Sequence, residues 1–175
     1  MAAKWTAFVS GAVLTAQQLN DTVDNFADIA IFNETQAANT NGGTSVAGAW
    51  TKRVLNTTVV NNITGCSIAS SVITLPAGTF NISANAPFLN CGQAKIKLRN
   101  TTAGTDAIIG ISGYANPAVT IQIYGLLSGT VTTTAATNFE LQYYVNSALA
   151  NQGLGVPTNF TVNEVYATIE IARIA

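Results

Sequence analysis

The chain has 175 residues, of which 9% are charged, and its formal net charge is −1 at pH 7, whereas typical soluble domains carry about 25% charged residues. Its seven Lys and Arg residues form no long basic stripe, which argues against nucleic-acid binding, and the absence of His excludes Ser-His-Asp and Cys-His catalysis and His-ligated metals. We therefore predict no enzymatic activity, no cofactor and no metal ligands, and the scarcity of charge predicts a homo-oligomer with large apolar interfaces.

The N-terminal stretch combines a short apolar arm, residues 5–14, with a predicted amphipathic helix. Thr15 and Gln18 have the spacing of a capping box, which favours a helix beginning at Ala16. The apolar positions of this helix follow at spacings of four, three and four and form one stripe: Leu19, Val23, Phe26 and Ala30. An isolated helix of this length is marginal in water, so we predict that it packs on a partner surface.

This N-terminal stretch is predicted to be neither secreted nor inserted in a membrane. Thr6, Ser10 and Gly11 interrupt the apolar run, Lys4 is the sole basic residue before it, and the run is far shorter than a spanning helix of about 20 residues. We expect it to be retained as a docking segment, residues 1–34. Its predicted contact residues are Trp5, Phe8, Val13, Leu14, Leu19, Val23 and Phe26.

Residues 35–175 are predicted to form an all-β domain. A small-residue loop, residues 37–49, is followed by segments in which apolar residues alternate: 80–86, 95–99, 119–123, 139–145 and 165–171. Turn-forming sequences lie among them at 76–78, 90–92, 103–106, 128–129 and 152–155. The period of two predicts antiparallel strands with one buried face, and the absence of helices between them favours a sandwich or jelly roll.

The two cysteines, Cys66 and Cys91, lie 25 positions apart and form no C-x-x-C motif. We interpret them as buried thiols. A disulfide would need the two Cα atoms within about 7 Å, which the sequence leaves open.

Several sequence blocks resemble one known family. NGGTSVAGAWTKRVLNT, ITLPAGTFNISANAP, KIKLRNTTAG, FELQYYV and NEVYATIEIARI follow one another from residue 41 to residue 174. Over residues 29–175 the chain resembles the tumour-necrosis-factor/complement-like trimeric jelly-roll domains of bacteriophage fibre proteins. The opening SGAVLTAQQLN is similar to a short N-terminal segment of phage tail proteins.

The resemblance implies a homotrimer displayed on the exterior of a virion assembled in the host cytoplasm. The function it implies is a short tail fibre or receptor-binding protein for host attachment, joined to other virion proteins through residues 1–34. The alternative is a capsid decoration or head-fibre protein. The receptor would be a host glycan or protein, and the loops at 37–49, 114–117 and 149–158 are the expected recognition elements.

The resemblance also implies residues at the trimer axis: Phe139, Leu141 and Tyr143, with an ordinary core position as the alternative reading of all three. Trp50 and Arg53 could mark a ligand site. We favour structural roles, in which Trp50 caps the end of the sandwich and Arg53 pairs or bonds to loop carbonyls, while Leu55 enters the core.

The charged residues outside the N-terminal segment suggest one ion pair and no pair of catalytic carboxylates. Lys97 and Glu170 are a plausible ion pair, either across strands or between subunits, against the alternative of a solvated sheet face on which such pairs contribute little. Asp106, Glu140 and Glu164 show no spacing that would indicate the carboxylate pair of a glycosidase.

Overall fold

The computed structural model describes residues 28–174, together with positions 11, 13, 15 and 16. Within these residues the chain forms twelve β-strands. They are β1 (Ile29–Gln36), β2 (Thr51–Lys52), β3 (Thr57–Asn61), β4 (Ser67–Ala69), β5 (Val72–Leu75), β6 (Gly78–Leu89), β7 (Gly92–Asn100), β8 (Thr105–Ile109), β9 (Gly113–Ala115), β10 (Gln122–Thr133), β11 (Thr137–Val145) and β12 (Glu164–Arg173). No helix in this described part is long and apolar enough to cross a bilayer.

The strands form two antiparallel sheets that pack face to face. Sheet A has the order β10-β6-β12-β1-β3, and sheet B has the order β4-β5-β11-β7-β8, with β2 added to β11 and β9 added to β7. Because sequence neighbours are distributed between the sheets, the connections cross the sandwich as in a jelly roll. The predicted all-β antiparallel fold is confirmed.

The core lies between the sheets and follows the predicted alternation. The inward-facing residues of β6, β7 and β11 are buried at every second position, including Phe80, Ile82, Ile96 and Leu98. The period of two in the sequence therefore identified the buried face of these strands correctly.

The prediction that Phe139, Leu141 and Tyr143 form the trimer axis is wrong. All three side chains are at most 2% exposed within the single chain. They lie on β11 in the middle of sheet B and point toward sheet A, so the alternative reading as ordinary core is correct. A side chain that is already buried inside its own sandwich is not available to a neighbouring copy.

The predicted strand at 119–123 is correct only for residues 122–123, where β10 begins, and the predicted turn at Ser128–Gly129 is wrong. Val119 donates its N–H to the Asn116 carbonyl in a turn, and β10 runs without interruption through Gly129. A Cβ at Gly129 would lie 3.1 Å from Ile108 Cγ2. The glycine therefore allows sheet A and sheet B to pack closely at this point, and it does not end the strand.

A β-bulge changes the predicted faces of β12. Glu34 pairs with Ala167 and Thr35 with Val165, so Tyr166 is the extra residue. As a result Tyr166 and Ala167 are both buried, whereas Val165 is exposed. The uninterrupted alternation predicted here, with Val165 inward and Tyr166 outward, does not occur.

The predicted domain boundary after residue 34 divides a strand. β1 begins at Ile29, and Ala30 and Phe32 are fully buried in the core. Ala30 is therefore a strand residue and does not continue the predicted helix. Of the seven predicted docking residues the structure describes Val13, which is 90% exposed; the others lie outside the described residues, and their role stays a prediction.

The sandwich has two distinct ends. In the β1–β12 pair, Ile29 lies opposite Ala172 and Gln36 opposite Glu164. The chain therefore enters the sandwich beside the last residues of β12, at an end we call the base. The opposite end, which we call the loop end, carries the connections at 37–49, 90–91, 116–121 and 146–163.

Both cysteines are buried and unpaired, in agreement with the reading as thiols. Burial raises the pKa of the Cys66 thiol to about 11 and also raises that of Cys91. Neither thiol is therefore activated as a nucleophile near neutral pH.

Candidate functional site

Two of the three predicted recognition loops are joined by hydrogen bonds at the loop end. Gly42 N donates to Gly155 O at 2.9 Å, Leu154 N donates to Gly43 O at 3.0 Å, and Ser45 N donates to the carbonyl of residue 149 at 3.0 Å. We call the segments 37–49 and 149–155 the loop pair. Backbone bonds in both directions hold it as one unit, so the surface it presents is preformed.

A buried ion pair inside the sandwich contacts the backbone of the loop pair. Arg53 Nε lies 2.6 Å from Glu34 Oε2, and both side chains are almost completely buried. Arg53 Nη2 also donates to Leu154 O at 2.7 Å. The predicted bond from Arg53 to a loop carbonyl is thus confirmed, and Leu55 enters the core as predicted.

The charge contact between Arg53 and Glu34 lies in an apolar setting. Burial raises the pKa of Glu34, although the guanidinium acts in the opposite direction, and burial lowers the pKa of Arg53. Nε and Oε2 are close but not aligned as a hydrogen bond. Glu34 lies in β1 and Arg53 follows β2, so the pair connects sheet A to sheet B.

Sequence reasoning assigned no role to Glu34, although a signal was present. Glu34 is in phase with Ala30 and Phe32 in β1, on the face that enters the core. A carboxylate at a core position of an alternating strand needs a buried cation or hydrogen-bond donors. Arg53 is the buried cation near it, which the alternation of β1 alone could not identify.

Three side chains attach the loops to the sandwich at other points. The Tyr166 hydroxyl donates to Thr40 O at 2.6 Å, and the Tyr143 hydroxyl accepts from Val46 N at 3.2 Å. Glu164 accepts from Thr158 N at 3.1 Å. Although desolvation acts in the opposite direction, hydrogen bonds from Thr158 and Asn159 lower the pKa of Glu164.

One glycine is required where the loop pair meets β12. A Cβ at Gly155 would lie 2.3 Å from Tyr166 Cδ1, and Gly155 has φ +127°. Neither the contact nor the backbone angle suits another residue. The predicted turn at 152–155 is therefore confirmed, and its final glycine sets how closely the loop approaches the sandwich.

The third predicted loop, residues 114–117, lies at the same end. It comprises the last two residues of β9 and the start of the connection to β10. Farther along that connection Ile121 is joined to the β6–β7 turn, where Asn90 N donates to Ile121 O and Asn90 Oδ1 accepts from Ile121 N. Leu89 N donates to Gly153 O, which joins this region to the loop pair. The fold therefore brings all three loops together, and their role in recognition stays a prediction.

The predicted ion pair between Lys97 and Glu170 does not form within one chain, and its intersubunit form stays a prediction. Lys97 lies on β7 of sheet B, and Glu170 lies on β12 of sheet A, so their outward side chains point in opposite directions. Lys97 and Arg99 instead contact Asp106, each with N–O 2.8 Å. Hydrogen bonds from the two cations hold the pKa of Asp106 below its ordinary value.

Glu140 and Glu164, the other two carboxylates considered for a glycosidase pair, each have a separate partner. Glu140 lies 3.6 Å from Lys52 Nζ and accepts from Gln142, while Glu164 accepts from Thr158. In the described part of the chain no group of three or more Cys, Asp and Glu residues is placed to hold a metal ion.

The outer face of sheet A is poor in charge. Its outward positions on β1, β6, β10 and β12 carry Asn, Ser, Thr and apolar side chains, and Glu170 is the charged residue among them. Tyr124 and Leu126 are exposed on β10. A groove of about 450 Å³ runs across this face beside Glu170, between Ile31 of β1 and Thr130 of β10.

The outer face of sheet B is charged and carries an exposed tryptophan. Trp50 is 39% exposed and meets the Tyr144 ring edge-on, with centroids 5.6 Å apart. Lys97 Nζ lies 4.1 Å from the centre of the Trp50 ring. Trp50 therefore covers the outside of sheet B, and the prediction that it caps the end of the sandwich is wrong.

Comparison with known proteins identifies the fold. No protein-family model and no curated protein matches the chain. The globular domain of zebrafish complement 1qA is similar with a TM-score of 0.50 and 11% identity, over 84% of this chain and 95% of that chain. Murine APRIL at pH 8.0 gives a TM-score of 0.51 and 6% identity, over 83% and 98%. These similarities confirm the tumour-necrosis-factor/complement-like jelly-roll fold.

Proposed function

We propose that the chain is a bacteriophage virion protein, a short trimeric tail fibre or receptor-binding protein that attaches the particle to its host. The observation that carries this proposal is the polarity of the sandwich. Residues 1–27 precede the base, whereas the loop pair lies at the opposite end. A protein that docks through its N-terminal segment would thus present its loops away from the particle.

Three copies would associate through the outer face of sheet A. This face has a single charged residue, Glu170, on its four long strands and exposes Tyr124 and Leu126, so covering it removes apolar surface from water and desolvates fewer charges than covering sheet B would. Closed threefold symmetry would also cover the free edges of the sheets. The proposed interface replaces the β11 residues that the resemblance implied.

Three copies on one axis would present three equivalent loop ends in one direction. Binding of several weak sites to one cell surface raises the effective concentration for each further contact, so a modest affinity per site is sufficient for attachment. The backbone bonds of the loop pair support this function because a preformed surface loses little conformational entropy on binding.

The proposal is tested with particles that lack this chain. We expect them to adsorb poorly to the host and to recover when the full-length chain is supplied during assembly. A variant without residues 1–26 should remain a folded trimer by sedimentation but should fail to join particles. Normal adsorption without the chain would contradict host attachment, and incorporation of the truncated variant would contradict the docking role.

The location on the particle separates the proposal from capsid decoration. Gold-labelled full-length chain in electron micrographs should mark the tail if it is a fibre. Label distributed over the head would instead support the capsid decoration or head-fibre alternative, which the sequence resemblance also allowed.

A further inference from the structure

A pocket of about 380 Å³ opens on the outer face of sheet B, near the loop end. Its walls are formed by the rings of Trp50 and Tyr144 and by the polar side chains of Gln93, Lys95 and Ser112. Its volume lies at the lower end of the range for small-molecule sites, about 300–1,000 Å³. The core does not require these aromatic residues, because both lie on the outside of the sheet.

The Trp50 ring is held in position before any ligand arrives. The Tyr144 ring supports its edge, and Lys97 Nζ lies 4.1 Å from its centre. Lys97 is itself fixed by Asp106 at 2.8 Å. A ring that is already immobilised loses little entropy when a ligand packs against it, which favours binding.

The polar groups of the pocket have unused hydrogen-bonding capacity. Within the described part of the chain, the side chains of Gln93, Lys95 and Ser112 have no hydrogen-bond or ion-pair partner. An amide, an ammonium and a hydroxyl together offer several donors and acceptors around one apolar wall. This combination matches a ligand that has an apolar face and a rim of hydroxyl groups, which is the chemistry of a pyranose sugar.

The charge at the pocket selects among sugars. Asp106 pairs with both Lys97 and Arg99, whereas Lys95 is unpaired within the described residues. A carboxylate on the ligand would form a charge-assisted bond with Lys95, stronger than a bond to a neutral group. The pocket should therefore favour an acidic sugar over a neutral one.

We propose that this pocket binds one pyranose ring of a surface glycan, with preference for a sugar that carries a carboxylate. The sugar's C–H face packs on Trp50 and Tyr144, and its hydroxyls bond to Gln93 and Ser112. The inference deepens the proposed host attachment and rests on it for its biological role. The pocket lies on the opposite side of the sandwich from the proposed trimer face, so it stays open in the assembly.

The test is a titration of the full-length chain with the methyl glycosides of glucose, galactose, glucuronic acid and galacturonic acid. Saturation-transfer NMR should report contact with the sugar ring, and calorimetry should give the affinities. We expect at least one uronide to bind more tightly than its neutral counterpart. Absence of binding by all four sugars would overturn the proposal.

Single-residue variants test whether sugars bind in this pocket. They also separate the contribution of packing on the aromatic rings from that of the Lys95 charge. Trp50→Ala and Tyr144→Ala should each weaken binding of every sugar about tenfold or more, because a packing surface is lost. Lys95→Met should weaken uronide binding about tenfold and leave neutral sugars nearly unchanged. Phe160→Ala removes a ring that is exposed at the loop end outside the pocket, and it should change nothing.

Two outcomes separate a failure of the pocket assignment from a failure of the proposed host attachment. If Trp50→Ala and Tyr144→Ala bind sugars as the wild type does, the pocket assignment is overturned, whatever the adsorption of particles shows. If the wild type binds uronides through the pocket but particles without the chain adsorb normally, the site stands and host attachment fails. Sedimentation and circular dichroism of each variant confirm that it is folded before its binding is compared.

Discussion

The two outer faces of the sandwich differ in charge although they cover one core. On sheet A, Glu170 is the charged residue among the outward positions of the four long strands, and Tyr124 and Leu126 are exposed beside Ser, Thr and Asn. On sheet B the outward positions carry two networks of ions. These comprise Lys97, Arg99 and Asp106 in one and Lys52 and Glu140 in the other.

This difference indicates which face another copy can cover. Burial of a charge against a partner carries a large desolvation cost, whereas burial of Thr, Ser and apolar side chains does not. The charged face is therefore suited to water and to a soluble ligand, and the uncharged face to a second subunit. The low overall charge of the chain predicted an oligomer, and the distribution of charge between the sheets supports the proposed interface on sheet A.

The largest expected loss of stability comes from removing one partner of the ion pair that connects sheet A to sheet B. Arg53→Met would leave Glu34 buried without its cation, and we expect the free energy of unfolding to fall by about 3–5 kcal/mol. Urea denaturation measures this change.

The matched control is the double variant Glu34→Met with Arg53→Met, which removes both charges. We expect it to recover a large part of the lost stability, because an apolar pair in place of a buried ion pair is often neutral or stabilising. If the double variant is as unstable as the single one, the cost comes from lost packing and from the Leu154 carbonyl, and the ion pair is not its source.

The comparison of the two faces is tested directly by placing one negative charge on each. Leu126→Glu on sheet A should shift the sedimenting species from trimer toward monomer, because three buried carboxylates would be desolvated in the assembly. Ile109→Glu on sheet B is the control. Its side chain is 55% exposed, against 47% for Leu126. Equal dissociation by both variants would show that sheet A is not the interface.

A smaller loss of stability is expected from a substitution at the loop end. This substitution should leave the outer faces of both sheets unchanged. Gly155→Ala would force a Cβ against the Tyr166 ring, and we expect a loss of about 1–3 kcal/mol with faster amide exchange in the loop pair. Gly48→Ala is the matched control, because Gly48 has φ +79° but nothing within 4 Å of an added Cβ. A similar loss in both variants would assign the effect to backbone strain alone.

The smallest expected effect concerns Asp106 on the charged face. Lys97 and Arg99 hold its folded-state pKa below the unfolded value of about 4. The stabilisation is therefore fully present above that unfolded value and is lost as the pH falls through the lower folded-state pKa. Because the carboxylate is about one-third exposed, we expect less than about 1 kcal/mol.

Asp106→Asn isolates this contribution. The difference in unfolding free energy between wild type and variant should be constant near neutral pH and should shrink in acid. A difference that stays constant down to the lowest pH at which the protein folds would show that Asp106 acts through packing and that its charge is not important.

The sequence predicted those features that depend on neighbours along the chain. Alternation in β6, β7 and β11 identified their buried faces, and the turns at 76–78, 90–92 and 152–155 were confirmed. Alternation failed in β12, where a bulge turns Tyr166 inward. The turn prediction failed at Gly129, which continues β10 because Ile108 fills the space above it.

The sequence could not predict which side chains pair with each other across the sandwich or between strands. A buried carboxylate such as Glu34 needs a cation or hydrogen-bond donors, and its pairing with Arg53 depends on how the two sheets face each other. Lys97 could likewise be assigned to Asp106 and not to Glu170 only when the strand order was known.

Local sequence by itself therefore determined that this is an antiparallel all-β domain of low charge, because strand periodicity, turn chemistry and composition act over a few residues. Tertiary structure alone decided which residues are accessible to a partner. It placed Phe139, Leu141 and Tyr143 in the interior, exposed Tyr124 and Leu126 on sheet A, and set Trp50 beside Tyr144 on sheet B. The reason is that alternation defines two faces of each strand, and the order of strands in the sheets decides what each face meets.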